Sequence, residues 1–142
     1  MRSSARLTGG ALAALAALHL AWGWGSALPF RTRDELAEAV VGSARVPPPP
    51  ACFAVAGVLA TGAALVTEVV PLPARVHRAS LLGMATVFGV RSALGFSGRT
   101  ALLSPGSDSE RFVRLDRSVY APICLALSIG TVASMDRRPP HA

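Results

Sequence analysis

The sequence predicts an all-α integral membrane protein, a single domain over residues 1–142 built as a bundle of four transmembrane helices. Three observations lead there. About half of the chain, 51%, is hydrophobic and only 15% is charged, a balance typical of membrane proteins rather than of soluble cores. Four apolar segments, at residues 8–28, 51–70, 79–96 and 118–135, each approach the roughly 20 residues a helix needs to cross about 30 Å of hydrocarbon. All the arginines but Arg91 fall outside these segments instead of forming one stripe. The net charge of +6 is therefore explained by membrane topology, and nucleic acid is not an expected partner.

The first segment follows a basic "MRSSAR" and ends near "GSA", the outline of a signal peptide. Its apolar run exceeds the usual 7 to 15 residues of such a leader and carries His19, Trp22 and Trp24, so a retained helix is favoured. In the loop that follows, residues 34–41 suit two helical turns from an Asp34 N-cap. The run from Pro47 to Pro50 reads as a stiff extended spacer.

In the second segment Gly57, Thr61, Ala64 and Glu68 recur at three- or four-residue spacing. Such a stripe lets helices approach closely, inside the bundle or between protomers. The short turn "PLPARVHR" makes the second and third helices antiparallel neighbours. Residues 97–117 are polar, and "SPGSDSE" reads as a turn followed by an N-cap, so the fourth helix should begin before its apolar part.

All 14 basic residues are arginine, which with the Ala-rich background points to a GC-rich bacterial genome rather than to function. Six arginines (Arg2, Arg6, Arg75, Arg78, Arg137, Arg138) fall on one side of the membrane and seven (Arg31, Arg33, Arg45, Arg99, Arg111, Arg114, Arg117) on the other. The dense Arg75 and Arg78, and the acidic residues mixed into the opposite loops, lean toward a multi-pass plasma-membrane protein with cytoplasmic termini. Cys52 and Cys124 form no C-x-x-C pair and read as small apolar fillers.

Ionisable groups at membrane depth need a partner or water. Glu68 sits near the end of the second helix, where it can snorkel toward Arg75, His77 and Arg78. Arg91 lies about 8 Å from the opposite surface at 1.5 Å rise per residue, at the level of Asp116 and Tyr120, which open the fourth helix four residues apart with Cys124 one turn deeper. Arg91 can reach either the Asp116 carboxylate or the Tyr120 hydroxyl. His19, counted back from Pro29, enters about 14 Å deep from that same side and shares a helical face with Trp22. His19, Trp22, Arg91, Asp116, Tyr120 and Cys124 thus converge in one leaflet half.

Such a cluster either fixes helix register through interhelical hydrogen bonds or lines a pocket for a small apolar or amphipathic ligand. Two further readings stand beside these: a membrane-embedded enzyme with His19 as general base in a pocket of Trp22, Tyr120 and Arg91, and an accessory subunit of a transporter or larger complex. No cofactor or metal is expected. A haem would want two axial ligands at similar depth, and His77 is on the wrong side; Cys52 and Cys124 differ in depth, which disfavours a thiol pair.

"HLAWGWGSALP", "RSALGFSG" and "FVRLDRSVYAPICLAL" resemble the motifs of a family of small bacterial integral membrane proteins, domain-of-unknown-function family 3995. The resemblance spans most of the chain and is most specific in the last motif. The family-typical positions are His19, Trp22, Gly25, Arg91, Gly95, Asp116, Tyr120, Pro122 and Cys124. The sequence departs from the pattern at Ala21, where an aromatic often precedes the tryptophan, and in the loop after Gly98, which lacks the usual basic and aromatic character. The resemblance implies a four-helix membrane protein and no particular activity.

Overall fold

The computed structural model describes residues 2–43 and 45–135. Arg137 and Arg138, used above for orientation, lie outside the described residues, as does the side chain of Arg2. Helix α1 runs Arg2–Gly23, α2 Arg33–Leu36 with a π turn at Ala37–Val41, α3 Pro49–Val66 and α4 Ala74–Ser97. A 3-10 turn at Thr100–Leu102 precedes α5 (Glu110–Leu115), which passes through a π turn at Asp116–Tyr120 into α6 (Ala121–Met135). Among the described residues no strand occurs. Four helices are long and apolar enough to cross a membrane: Ser3–Gly23, Pro49–Val66, Ala74–Ser97 and the continuous Glu110–Met135.

The core is thin and the outside is apolar, the arrangement expected where lipid replaces water. Leu12, Leu59, Val66, Leu81 and Leu127 meet in the centre, while Val58, Val87 and Ile129 face outward. Polar atoms are turned inward and bonded. Ser92 Oγ donates to the Ala121 carbonyl at 2.9 Å and Ser128 Oγ to the Ala85 carbonyl at 2.8 Å, tying α4 to α6 with groups that would find no partner in hydrocarbon. The principal pairings are α1 with α3, α4 with α6, and α1 with α6.

Several sequence expectations are corrected. The first helix ends at Gly23 rather than Leu28, because the chain turns at Gly25, which has φ 96°; His19 is therefore four residues, about 6 Å, from the helix end and shallower than expected. The N-cap of α2 is Thr32 rather than Asp34: Thr32 Oγ1 accepts from the Glu35 N–H at 3.2 Å, and the Glu35 carboxylate reaches back past the cap to the Arg31 N–H at 3.0 Å, so both side chains satisfy main-chain donors at the helix start. Pro49 and Pro50 open α3, where missing N–H groups cost nothing. Gly57 and Thr61 face outward, and the buried face of α3 is Cys52, Ala56, Leu59, Gly62 and Val66. Helices α3 and α4 are antiparallel, with His77 Nε2 2.9 Å from the Leu65 carbonyl, yet they touch over a short length and then part.

The expected long fourth helix is present. Ser109 caps it, its Oγ accepting from the Phe112 N–H at 3.2 Å. Its π turn has a local cause: Pro122 offers no N–H to the Ser118 carbonyl and its ring would clash there in an α-helix. The wider turn relieves both.

Candidate functional site

At the end of the bundle opposite the N-terminus, α1, α4 and the start of the fourth span are covered by the α2 segment. Asp116 is nearly sealed from solvent, its side chain 2% exposed, and Arg91 meets it with both terminal nitrogens. Nη2 to Oδ1 is 2.7 Å and Nη1 to Oδ2 is 3.3 Å, the fork geometry that suits a buried carboxylate. Thr100 Oγ1 donates a further hydrogen bond to Oδ2. Gly95 makes the approach feasible: a Cβ there would stand 2.7 Å from the Ala121 Cβ and 3.1 Å from both Arg91 Nη1 and Asp116 Oδ1.

Tyr120 does not join that pair. Its hydroxyl donates to the Ala39 carbonyl at 3.0 Å and so pins the α2 segment to the bundle. Ser109 Oγ donates to the Glu38 carbonyl at 3.3 Å, and Gly42, with φ 75°, packs its backbone against the Phe112 ring. Trp22 holds the near side of this cap, its Nε1–H donating to the Leu28 carbonyl at 2.6 Å.

His19 lies against Trp22 with ring centroids 4.7 Å apart. Its Nδ1 is 2.8 Å from the Leu15 carbonyl. Because a carbonyl can only accept, Nδ1 carries the proton, and in the neutral ring Nε2 is left as an acceptor.

Two cavities adjoin this histidine. One, of about 340 Å³, lies under the cap; His19, Trp22, Cys52 and Phe112 line it together with Arg91, Thr100, Ser104 and Ser107. The other, of about 570 Å³, is a groove between α1 and the fourth span. The structure thus gathers His19, Trp22 and Arg91 on one cavity wall, places Asp116 behind Arg91, and sends Tyr120 to the cap. Cys124, a half-buried free thiol, lines neither cavity. Among the described residues no group of three metal-ligating side chains occurs.

A family model described as protein of unknown function (DUF3995) matches residues 12–131, most of the chain. The chain belongs to this family. The matched stretch contains every residue of the Arg91–Asp116 pair, the His19–Trp22 stack and the cap, so the DUF3995 region and the candidate site coincide. No curated protein and no solved structure matches the chain.

Sequence reasoning missed Thr100, Ser104 and Ser107, which sit in the loop that departs from the family pattern. Thr100 and Ser107 are buried. Their only sequence signal is a run of hydroxyl residues beside a predicted membrane end, which reads equally well as a turn.

Proposed function

We propose that this DUF3995 protein resides in a bacterial plasma membrane with both termini cytoplasmic, and that the cavity beneath its cap binds a small amphipathic ligand with an uncharged head group. The carrying observation is the wall of that cavity, where the Arg91 guanidinium and His19 meet an otherwise largely apolar lining. Its volume falls within the roughly 300–1,000 Å³ of small-molecule sites.

The chemistry of the two polar residues selects the head group. The charge of Arg91 is matched by Asp116, and two of its five N–H donors are spent there, so the rest can donate to a carbonyl or ether oxygen. The Nε2 of neutral His19 offers an acceptor for a hydroxyl. An anionic head would bring a second negative charge to one arginine and bury it unmatched. A neutral head with an acceptor and a hydroxyl satisfies both groups.

The orientation rests on the arginines: Arg75 and Arg78 stand close together at the short connection between α3 and α4, whereas the loops of the capped side mix their arginines with acidic residues such as Asp34, Glu35 and Glu38.

Trp22 provides the readout once exposed Trp24 is replaced, since the chain has two tryptophans. In a Trp24→Phe, Arg114→Glu protein in detergent, the second change removing the exposed cation of the neighbouring groove that Trp22 also lines, 1-decanoylglycerol should change Trp22 emission saturably, and decanoate should bind at least about tenfold more weakly. His19→Phe, which preserves an aromatic ring beside Trp22, should abolish the saturable phase without lowering the unfolding temperature. Equal binding of the two probes, or undiminished binding to His19→Phe, would refute the assignment. The same basic Nε2 supports a second reading, His19 as general base; chemical conversion of the neutral probe, followed by mass spectrometry, would select it.

A further inference from the structure

The larger groove has a different chemistry from the capped cavity. Helices α1 and α6 are in close contact where Gly130 faces Thr8, then splay apart toward the capped end and leave the opening of about 570 Å³. Its mouth carries Arg111 and Arg114; its interior is walled by Leu15, Leu18, Val119 and Ile123. Arg114 and Ile123 are nine residues apart on one helix, about 14 Å along its axis. That depth is about half of a hydrocarbon layer of roughly 30 Å, the reach of one acyl chain.

The two arginines are not equivalent. Arg111 shares its charge with Glu38 at 3.3 Å and lies over the Phe30 ring, 5.7 Å from its centroid. The Arg114 side chain is exposed and has no partner among the described residues. The groove therefore presents one unmatched and one partly matched positive charge at the end of an apolar slot.

We propose that this groove seats an anionic glycerophospholipid, its phosphate on Arg114 and Arg111 and one acyl chain along Leu15, Leu18 and Ile123. Charge complementarity selects the class: a zwitterionic lipid brings its own cation to the same rim, whereas an anionic one leaves its phosphate to the arginines. The site is distinct from the capped cavity, which the proposed function assigns to an uncharged head.

Trp22 also lines this groove, so a brominated acyl chain seated there quenches it. The Trp24→Phe protein would be reconstituted into phosphatidylcholine vesicles with increasing fractions of dibrominated phosphatidylglycerol or, in parallel, dibrominated phosphatidylcholine. Quenching should saturate at about fivefold lower mole fraction for phosphatidylglycerol, the preference that one unmatched arginine near a surface supplies. Arg114→Glu should remove the preference and Arg114→Lys should keep most of it; both substitutions are at an exposed position that bears no packing. Ile123→Trp in a Trp22→Phe, Trp24→Phe background gives an independent reporter from the opposite wall and should show the same preference. Ser104→Leu, which narrows the capped cavity at a residue that does not line the groove, should leave it unchanged. Equal quenching by the two lipids, or a preference that survives Arg114→Glu, would overturn the proposal whatever the outcome for the neutral probe.

Discussion

The Arg91–Asp116 pair can be tested quantitatively by a double-mutant cycle. Asp116 receives two hydrogen bonds from Arg91 and one from Thr100, and its side chain is 2% exposed against 25% for Arg91. Asp116→Ala leaves a mostly buried guanidinium without its anion, a loss of about 3–5 kcal/mol. Arg91→Ala leaves a sealed carboxylate with one hydroxyl donor and should cost at least as much. The double replacement removes both stranded charges, so its cost should fall short of the sum by about 2–3 kcal/mol, the upper part of the range for residues in direct contact. Reversible unfolding in mixed detergent and dodecyl sulfate micelles, followed by circular dichroism, gives the four stabilities. A sum that is additive within about 0.5 kcal/mol would mean that the ion pair does not hold α4 to the fourth span, and the account of the site would fail with it.

Two further substitutions probe what surrounds the pair. Tyr120→Phe removes the donor to the Ala39 carbonyl at a cost of about 1 kcal/mol, and amide exchange should rise in residues 37–41 while α4 is unaffected; unchanged exchange in the cap would refute its attachment through Tyr120. Gly95→Ala forces a methyl against Ala121, Arg91 and Asp116 and should destabilise by about 1–3 kcal/mol, whereas Gly83→Ala, on the same helix with nothing within 4 Å of the new carbon, should gain up to about 1 kcal/mol in helix propensity. Equal effects at the two glycines would remove the case for close approach at Gly95.

Much of this structure follows from local pattern. Apolar length alone specifies four spans, since any such segment must satisfy its backbone within itself in lipid. The Arg91–Asp116 pair was also legible, as one of two partners for Arg91: rise per residue and alternating direction place both side chains at one level, and a guanidinium in hydrocarbon needs an anion. The stretch "SPGSDSE" signals a turn and an N-cap, and the structure assigns the cap to Ser109. Pro122, with no N–H and a ring that crowds the preceding turn, disrupts a regular α-helix wherever it falls inside one, although the form of that disruption, a π turn, depends on how the neighbouring turns relax.

Tertiary structure decided the rest. Tyr120 bonds to Ala39, Trp22 to Leu28 and Ser92 to Ala121, and in each case the acceptor is a main-chain carbonyl. Every residue carries a carbonyl, so such a partner leaves no trace in the sequence and is chosen only when the chain folds back. The early end of α1 had the same origin. Apolar composition continues to Leu28, and periodicity extends the helix with it, but the turn at Gly25 frees residues 26–32 to cross the bundle end and lets the α2 segment cover it. That turn changed the setting of His19 from a residue deep in one leaflet to one beneath a cap, with a cavity on either side. Composition settled that the chain is built for lipid and which polar residues share one end; the fold-back of a single loop determined which of them face a cavity.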